Sequence, residues 1–70
     1  MREIKITTEF IRLDSLLKLA NMVNSGGEAK MLIQDGFVKV NNEICLQRGK
    51  KLRTNDLVEF DNELIKVVEW

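Results

Sequence analysis

Seventy residues, with 11 Lys plus Arg against 11 Asp plus Glu, 44% apolar content and no histidine, proline or tyrosine, describe one small domain of zero formal charge. A chain this short buries only about 60% of its unfolded-state surface, which excludes a large enzyme built around an enclosed cavity. Charged residues at 31%, interspersed with Leu, Ile and Val, exclude a disordered chain, and no apolar run is long enough to span a membrane.

The opening Met1-Arg2-Glu3-Ile4-Lys5-Ile6 alternates charged and apolar residues, which predicts a short, half-exposed strand at a sheet edge. It has neither the apolar stretch nor the cleavage pattern of a signal peptide, so a soluble, untargeted protein with no membrane partner is expected. From Phe10 the period changes. Phe10, Leu13, Leu16, Leu17 and Ala20 recur at three and four, the signature of an amphipathic helix of two to three turns with Arg12, Ser15 and Lys18 off its buried face.

After a break at Asn21 to Asn24, the run Ser25-Gly26-Gly27-Glu28 opens a second helix. Ser25 and Glu28 have capping-box spacing, in which the hydroxyl accepts the third N–H and the carboxylate returns to the cap N–H. Ala29, Leu32 and Ile33 form its buried stripe, and Gly36 suits the left-handed residue that ends it.

Phe37 to Val40 reads as a strand, Asn41-Asn42 as a tight turn and Ile44 to Leu46 as the returning strand. Gln47 to Arg53 has neither period and reads as a loop, and Thr54-Asn55-Asp56 as a turn. Leu57 to Phe60 and Leu64 to Val68 are two further strands joined at Asp61-Asn62. The expected class is α+β, two short packed helices and a small antiparallel sheet, in a single domain over 1–70 with no internal linker.

Catalytic chemistry finds few candidates. Without histidine the usual general base and the commonest metal ligand are both missing. Cys45, between Ile44 and Leu46, reads as a small buried thiol rather than a nucleophile or zinc ligand, and one cysteine without an internal partner suits a reducing cytoplasm. Asp56, Glu59, Asp61 and Glu63 lack the ligand spacing of a calcium loop and read as a solvated acidic edge. No catalytic residue, metal or cofactor is assigned.

The zero net charge hides a segregation along the chain. Residues 12 to 53 hold 8 basic against 4 acidic residues, and residues 54 to 70 hold 1 against 5. Within the basic part Arg48, Lys50, Lys51 and Arg53 fall together where long side chains can follow a phosphate backbone, although a solvated cationic loop is the plainer alternative. Gly26-Gly27 at a helix start permits backbone contact with an anion, or simply a tight turn between helices. The four aromatic residues Phe10, Phe37, Phe60 and Trp70 are all placed where they would pack in the core, so stacking on unpaired bases is disfavoured and a structured RNA read by backbone and shape is favoured.

The stretch Arg12-Leu13-Asp14-x-x-Leu17, followed by Ser25-x-x-x-Ala29-Lys30-x-x-Ile33-x-x-Gly36-x-Val38-x-Val40-Asn41, Gly49 and Asp56-x-Val58, resembles the RNA-binding domain of the ribosomal protein S-four type, the alpha-L motif, over residues 11 to 60. Leu16 to Ala20, Ser25 to Lys30 and Arg48 to Leu52 are similar to the small stand-alone bacterial members, of the YaaA and YbcJ type. The resemblance implies a cytoplasmic, non-enzymatic, monomeric RNA-binding protein for structured RNA, with ribosomal RNA and ribosome assembly as context and ribosomal or assembly proteins as further partners. It implies RNA contact at Arg12, Lys18, Ser25, Lys30, Lys39 and Asn41, together with Arg48, Lys50, Lys51 and Arg53. Family members often carry arginines directly after the serine, where Gly26 and Gly27 stand here; phosphate contact through their backbone N–H groups would compensate. Two other readings keep their place: a protein adaptor using the acidic edge at Glu59, Asp61 and Glu63, and a DNA-binding protein.

Overall fold

The computed structural model describes residues 1–70. Strand β1 (Arg2–Ile6) lies at one edge of a sheet, turning Ile6 into the core while Arg2, Glu3 and Lys5 stay exposed, as its alternation requires. The next apolar residues do not start a helix. Ile11–Arg12 form a two-residue strand, β2, and helix α1 (Leu13–Leu19) begins only after it. Phe10 is therefore not on a helix face, a correction caused by pairing with residues far along the chain. Leu13, Leu16, Leu17 and Ala20 are fully buried as the spacing predicts, each large side chain contributing about 1.5–3 kcal/mol.

Helix α2 (Gly26–Gln34) starts at Ser25, whose Oγ accepts the Glu28 N–H at 3.1 Å. The Glu28 carboxylate closes the box one residue further out than expected, accepting from the Asn24 N–H at 2.7 Å rather than from Ser25. Ala29 and Ile33 are buried, Leu32 packs partly against the same core, and Gly36 takes φ of 86° after the helix ends.

Strand β3 (Lys39–Val40) and strand β4 (Glu43–Ile44) are shorter than the apolar pattern indicates, and join through Asn41 and Asn42 at φ of 51° and 71°. Lys51–Leu52, expected as loop, is strand β5, pairing antiparallel with β2 so that Ile11 opposes Leu52 and Arg12 opposes Lys51. Strands β6 (Leu57–Phe60) and β7 (Glu63–Glu69) form a hairpin about Asp61 and Asn62, both at positive φ.

The main sheet runs β1-β7-β6-β3-β4, antiparallel except at β1 and β7, which pair in parallel with Ile4 opposite Val67. Its inner face, Val40, Val58, Ile65 and Val67, closes against α1, α2 and Leu52 in one apolar core. Two expected core residues lie elsewhere, Phe37 and Trp70, which are 61% and 80% exposed. Cys45 is half-buried against the core from outside any strand, its thiol 3.7 Å from the Gln47 carbonyl. Phe37 follows the Gly36 turn with the same parity as outward-facing Lys39, and Trp70 follows the last paired residue of β7.

Candidate nucleic-acid interface

The basic run is fixed to the start of α1 by its own backbone. The first N–H groups of any helix lack partners inside it. Here the Leu13 N–H donates to the Lys50 carbonyl at 2.9 Å and the Asp14 N–H to the Arg48 carbonyl at 3.1 Å. Beside these bonds β5 pairs with β2, and Leu52, with no exposed surface, pins the segment to the core. Strand alternation then sends Lys51 and Arg53 outward on the same side. A loop of four cations thus becomes a short, anchored ribbon.

Asp14 organises the cations around this joint. It is the one charged residue in the core's buried set, 9% exposed, and its Oδ1 accepts the Ser15 N–H at 2.8 Å. Its Oδ2 accepts from the Arg12 guanidinium at 3.0 Å, with the Arg48 Nε 3.9 Å away. Both arginines keep nearly half of their side-chain surface exposed, so guanidinium N–H groups remain for an anion. Two positive charges share one carboxylate, leaving net positive charge in place.

Phe10 supports the other pair. The Lys51 Nζ lies 4.9 Å and the Arg53 Cζ 6.0 Å from the centre of its ring, a cation–π arrangement worth about 0.5–1 kcal/mol at an exposed site. Arg12, Arg48, Lys51 and Arg53 are therefore brought together around β2, β5 and the start of α1. Lys50 joins them from the same ribbon, and with Asn41 and Ile44 it lines an open depression of about 390 Å³ beside the β3–β4 turn.

The remaining expected contacts have different settings. Asn41 serves the fold: its Oδ1 accepts the Leu57 N–H at 3.0 Å and its Nδ2 donates to Asp56 at 3.2 Å. Ser25 is occupied as the cap of α2. Lys18 and Lys30 are exposed on α1 and α2. Lys39 stands on the outer face of the sheet between Ile44 and Glu59, its cross-strand neighbours. A Cβ built on Gly26 meets nothing, and no acceptor in the chain takes the N–H groups of Gly26 or Gly27. Packing does not demand glycine at 26.

Sequence reasoning missed two supports of this surface, Phe10 and Asp14. Arg12-x-Asp14 spacing was a visible signal for the ion pair, since neighbouring opposite charges at a helix start attract. Nothing local in the sequence pointed to Lys51 and Arg53 lying over Phe10. Asp56, read as part of a solvated edge, accepts the Arg53 N–H at 2.8 Å and shapes the turn that follows the ribbon. No group of three or more Asp, Glu or Cys side chains is arranged to hold a metal ion.

Two packed helices with an adjoining asparagine hairpin are the architecture that the sequence resemblance implied, and the clamping of the basic segment onto the start of α1 is what the structure adds. The S4 domain family model matches residues 4–68, and the chain belongs to that family. It is 45% identical over 58 residues to the probable ribosome maturation protein RlbA of Bacillus subtilis (strain 168), spanning 83% of this chain and 82% of that protein. Among solved structures it is similar to YbcJ from E. coli, with a TM-score of 0.74 and 29% identity over 97% of this chain and 87% of that one. The solution structure of YbcJ reveals an αL motif involved in RNA-binding. The α+β alpha-L fold read from the sequence is borne out, with the parallel β1–β7 pair as a refinement.

Proposed function

We propose that this protein is a non-enzymatic, cytoplasmic RNA-binding module that recognises structured RNA, ribosomal RNA during ribosome assembly or maturation. The observation that carries the proposal is the ribbon of Arg48, Lys50, Lys51 and Arg53 held on α1 by the Leu13 and Asp14 N–H groups, with Arg12 alongside. Fixed cations lose less conformational freedom when they meet phosphates than cations on a mobile loop. The similarity to RlbA and to YbcJ supports the ribosomal context and the RNA ligand.

In this reading Arg12, Arg48, Lys50, Lys51 and Arg53 neutralise phosphates of an A-form helix, whose spacing they follow without reading base edges. Lys18, Lys30 and Lys39 extend the positive field, while the free N–H groups of Gly26 and Gly27 offer uncharged donors to a further phosphate. Ser25 and Asn41 hold the elements that present these groups.

The test is a competition between matched RNA and DNA hairpins, followed by fluorescence anisotropy across a salt series. RNA should win, and neutralising about four to six phosphates gives a slope of log affinity on log salt of roughly −3 to −5. Equal competition would make the protein a general phosphate binder, and a flat salt response would remove the ribbon from the interface.

A further inference from the structure

The two strands that pair in parallel, β1 and β7, finish at the same end of the main sheet, with Ile6 opposite Glu69. An open groove of about 520 Å³, the largest on the molecule, lies at this end and is lined by the Thr7–Glu9 segment, Thr54, Glu69 and Trp70. The Trp70 N–H donates to the Ile6 carbonyl at 3.0 Å, which fixes the backbone that carries the indole, and the side chain itself is left in water. An indole held open in this way is a surface on which a nucleic-acid base stacks.

The groove is continuous with the basic ribbon. Thr54 follows Arg53, and Glu9 precedes Phe10, whose ring carries Lys51 and Arg53. Two backbone bonds tie the turn after the ribbon to β7: the Asn55 N–H donates to the Val67 carbonyl at 2.7 Å, and the Val67 N–H to the Asp56 carbonyl at 3.0 Å. An RNA strand whose phosphate meets Arg53 therefore brings its neighbouring nucleotide to the groove, because adjacent Cα atoms are only about 3.8 Å apart.

Charge selects which part of a nucleotide the groove takes. Cations stand at its two ends: Arg53 is next to Thr54, and the Lys5 Nζ lies 5.4 Å from the centre of the Trp70 ring. None lines it. Its charged groups are the exposed carboxylates of Glu9 and Glu69, neither of them in an ion pair. Carboxylates repel a phosphate and only accept hydrogen bonds. Lys5 and Arg53 at the ends oppose a basic peptide in turn. An uncharged base meets both conditions, with N–H donors for the carboxylates and a flat face for the indole.

Among the bases, guanine presents two adjacent donors on its Watson–Crick edge, N1–H and the N2 amino group, which one carboxylate accepts through parallel hydrogen bonds. Adenine and cytosine offer one amino group beside acceptors, and uracil a single N–H between two carbonyls. That edge of guanine is free only where the base is unpaired.

We propose that the groove between the Thr7–Glu9 segment, Thr54 and Trp70 binds an unpaired guanine adjoining the duplex on the ribbon, stacked on Trp70 with its donor edge toward Glu9 and Glu69. The assignment rests on the RNA-binding reading and adds to it a base-specific contact outside the duplex.

Trp70 is the one tryptophan and the chain has no tyrosine, so its fluorescence reports on this groove directly. The full chain is titrated with one RNA hairpin, either blunt or extended at its 5′ or 3′ end by a single unpaired guanine, adenine, cytosine, uracil or inosine nucleotide. A guanine at one of the ends should quench Trp70 and bind about tenfold more tightly than the blunt hairpin, and inosine, which lacks the N2 amino group, should lose most of that gain. Trp70→Ala, at an exposed position, should bind guanine-tailed and blunt hairpins equally by fluorescence anisotropy. The double variant Glu9→Gln, Glu69→Gln should move the preference from guanine to adenine, whose amino group and ring acceptor suit an amide. Equal binding of tailed and blunt hairpins with unquenched Trp70 would overturn the proposal and leave the ribbon reading standing, whereas failure of every hairpin to bind would overturn both. Equal gains from all the tails would reduce the groove to stacking alone and overturn the guanine assignment. A change in Trp70 fluorescence with an end-blocked tetralysine peptide, and none with the guanine tail, would assign the groove to a basic partner and overturn it as well.

Discussion

The two helices of this small domain solve the same problem, unpaired N–H groups at a helix start, in opposite ways. At α1 the Leu13 and Asp14 N–H groups are consumed by the carbonyls of Lys50 and Arg48, so backbone polarity is used to anchor a chain segment and anions are left to the side chains. At α2 the Ser25 cap takes only the Glu28 N–H, and the N–H groups of Gly26 and Gly27 stay open in uncrowded space. A charged, pre-positioned surface and an uncharged, backbone one therefore occur in the same protein. They predict different responses to salt, because neutral donors release fewer counterions than cations do.

The comparison breaks most visibly at Leu52, where the ribbon meets the core. Leu52→Ala should cost about 3 kcal/mol by urea unfolding, the usual loss for a fully buried leucine, and should weaken RNA binding beyond what the unfolded fraction explains. Asp14→Ala leaves Arg12 and Arg48 without their shared partner and the Ser15 N–H without its acceptor, and should cost about 2 kcal/mol. Its RNA affinity should fall with little change in salt slope, since the variant adds net positive charge while losing orientation. An affinity that rises would show that charge outweighs positioning there.

The triple variant Lys50→Ala, Lys51→Ala, Arg53→Ala touches exposed side chains only and should shift stability by less than about 1 kcal/mol, most of it from the contacts over Phe10. Its salt slope should shrink by about 2–3, one phosphate for each cation removed. The smallest effect on folding belongs to the other helix. Gly26→Ala should stabilise the protein by about 0.5 kcal/mol, because a methyl group meets nothing there and the unfolded chain loses freedom. A bulky Gly26→Val should weaken RNA binding at constant salt slope; unchanged affinity would remove the backbone contact from the account.

What was legible in the sequence is what local chemistry dictates. The Ser25 cap, the Gly36 turn and the Asn41-Asn42 and Asp61-Asn62 hairpins each need particular residues at particular φ values, and those residues announce themselves. The leucines of α1 and the stripe of α2 follow from a period of 3.6. Pairings between distant segments are different: β2 and β5 have two residues each, too few for any period, and the parallel β1–β7 pair joins the two ends of the described chain. Phe10 was misplaced for that reason, since its spacing fits a helix that β2 pre-empts. The exposure of Phe37 likewise depends on which sheet face the helices cover, which residue type alone does not encode.

The same division runs through the candidate site. The cations at 48 to 53 stand out in the charge pattern, yet their support by Asp14, Phe10 and the α1 backbone emerges only in three dimensions. Asn41 shows the reverse. It fits the family motif, and its side chain spends both polar ends holding Leu57 and Asp56.

The central claim, that the ribbon on α1 is the RNA-binding surface, is tested most directly by crosslinking the protein to RNA in cells and sequencing what is attached. The parent chain is compared with the Lys50→Ala, Lys51→Ala, Arg53→Ala variant at equal abundance. Recovery of defined ribosomal RNA helices by the parent, and their loss in the variant, is the result the account predicts. Equal recovery of the same helices by both proteins would contradict it.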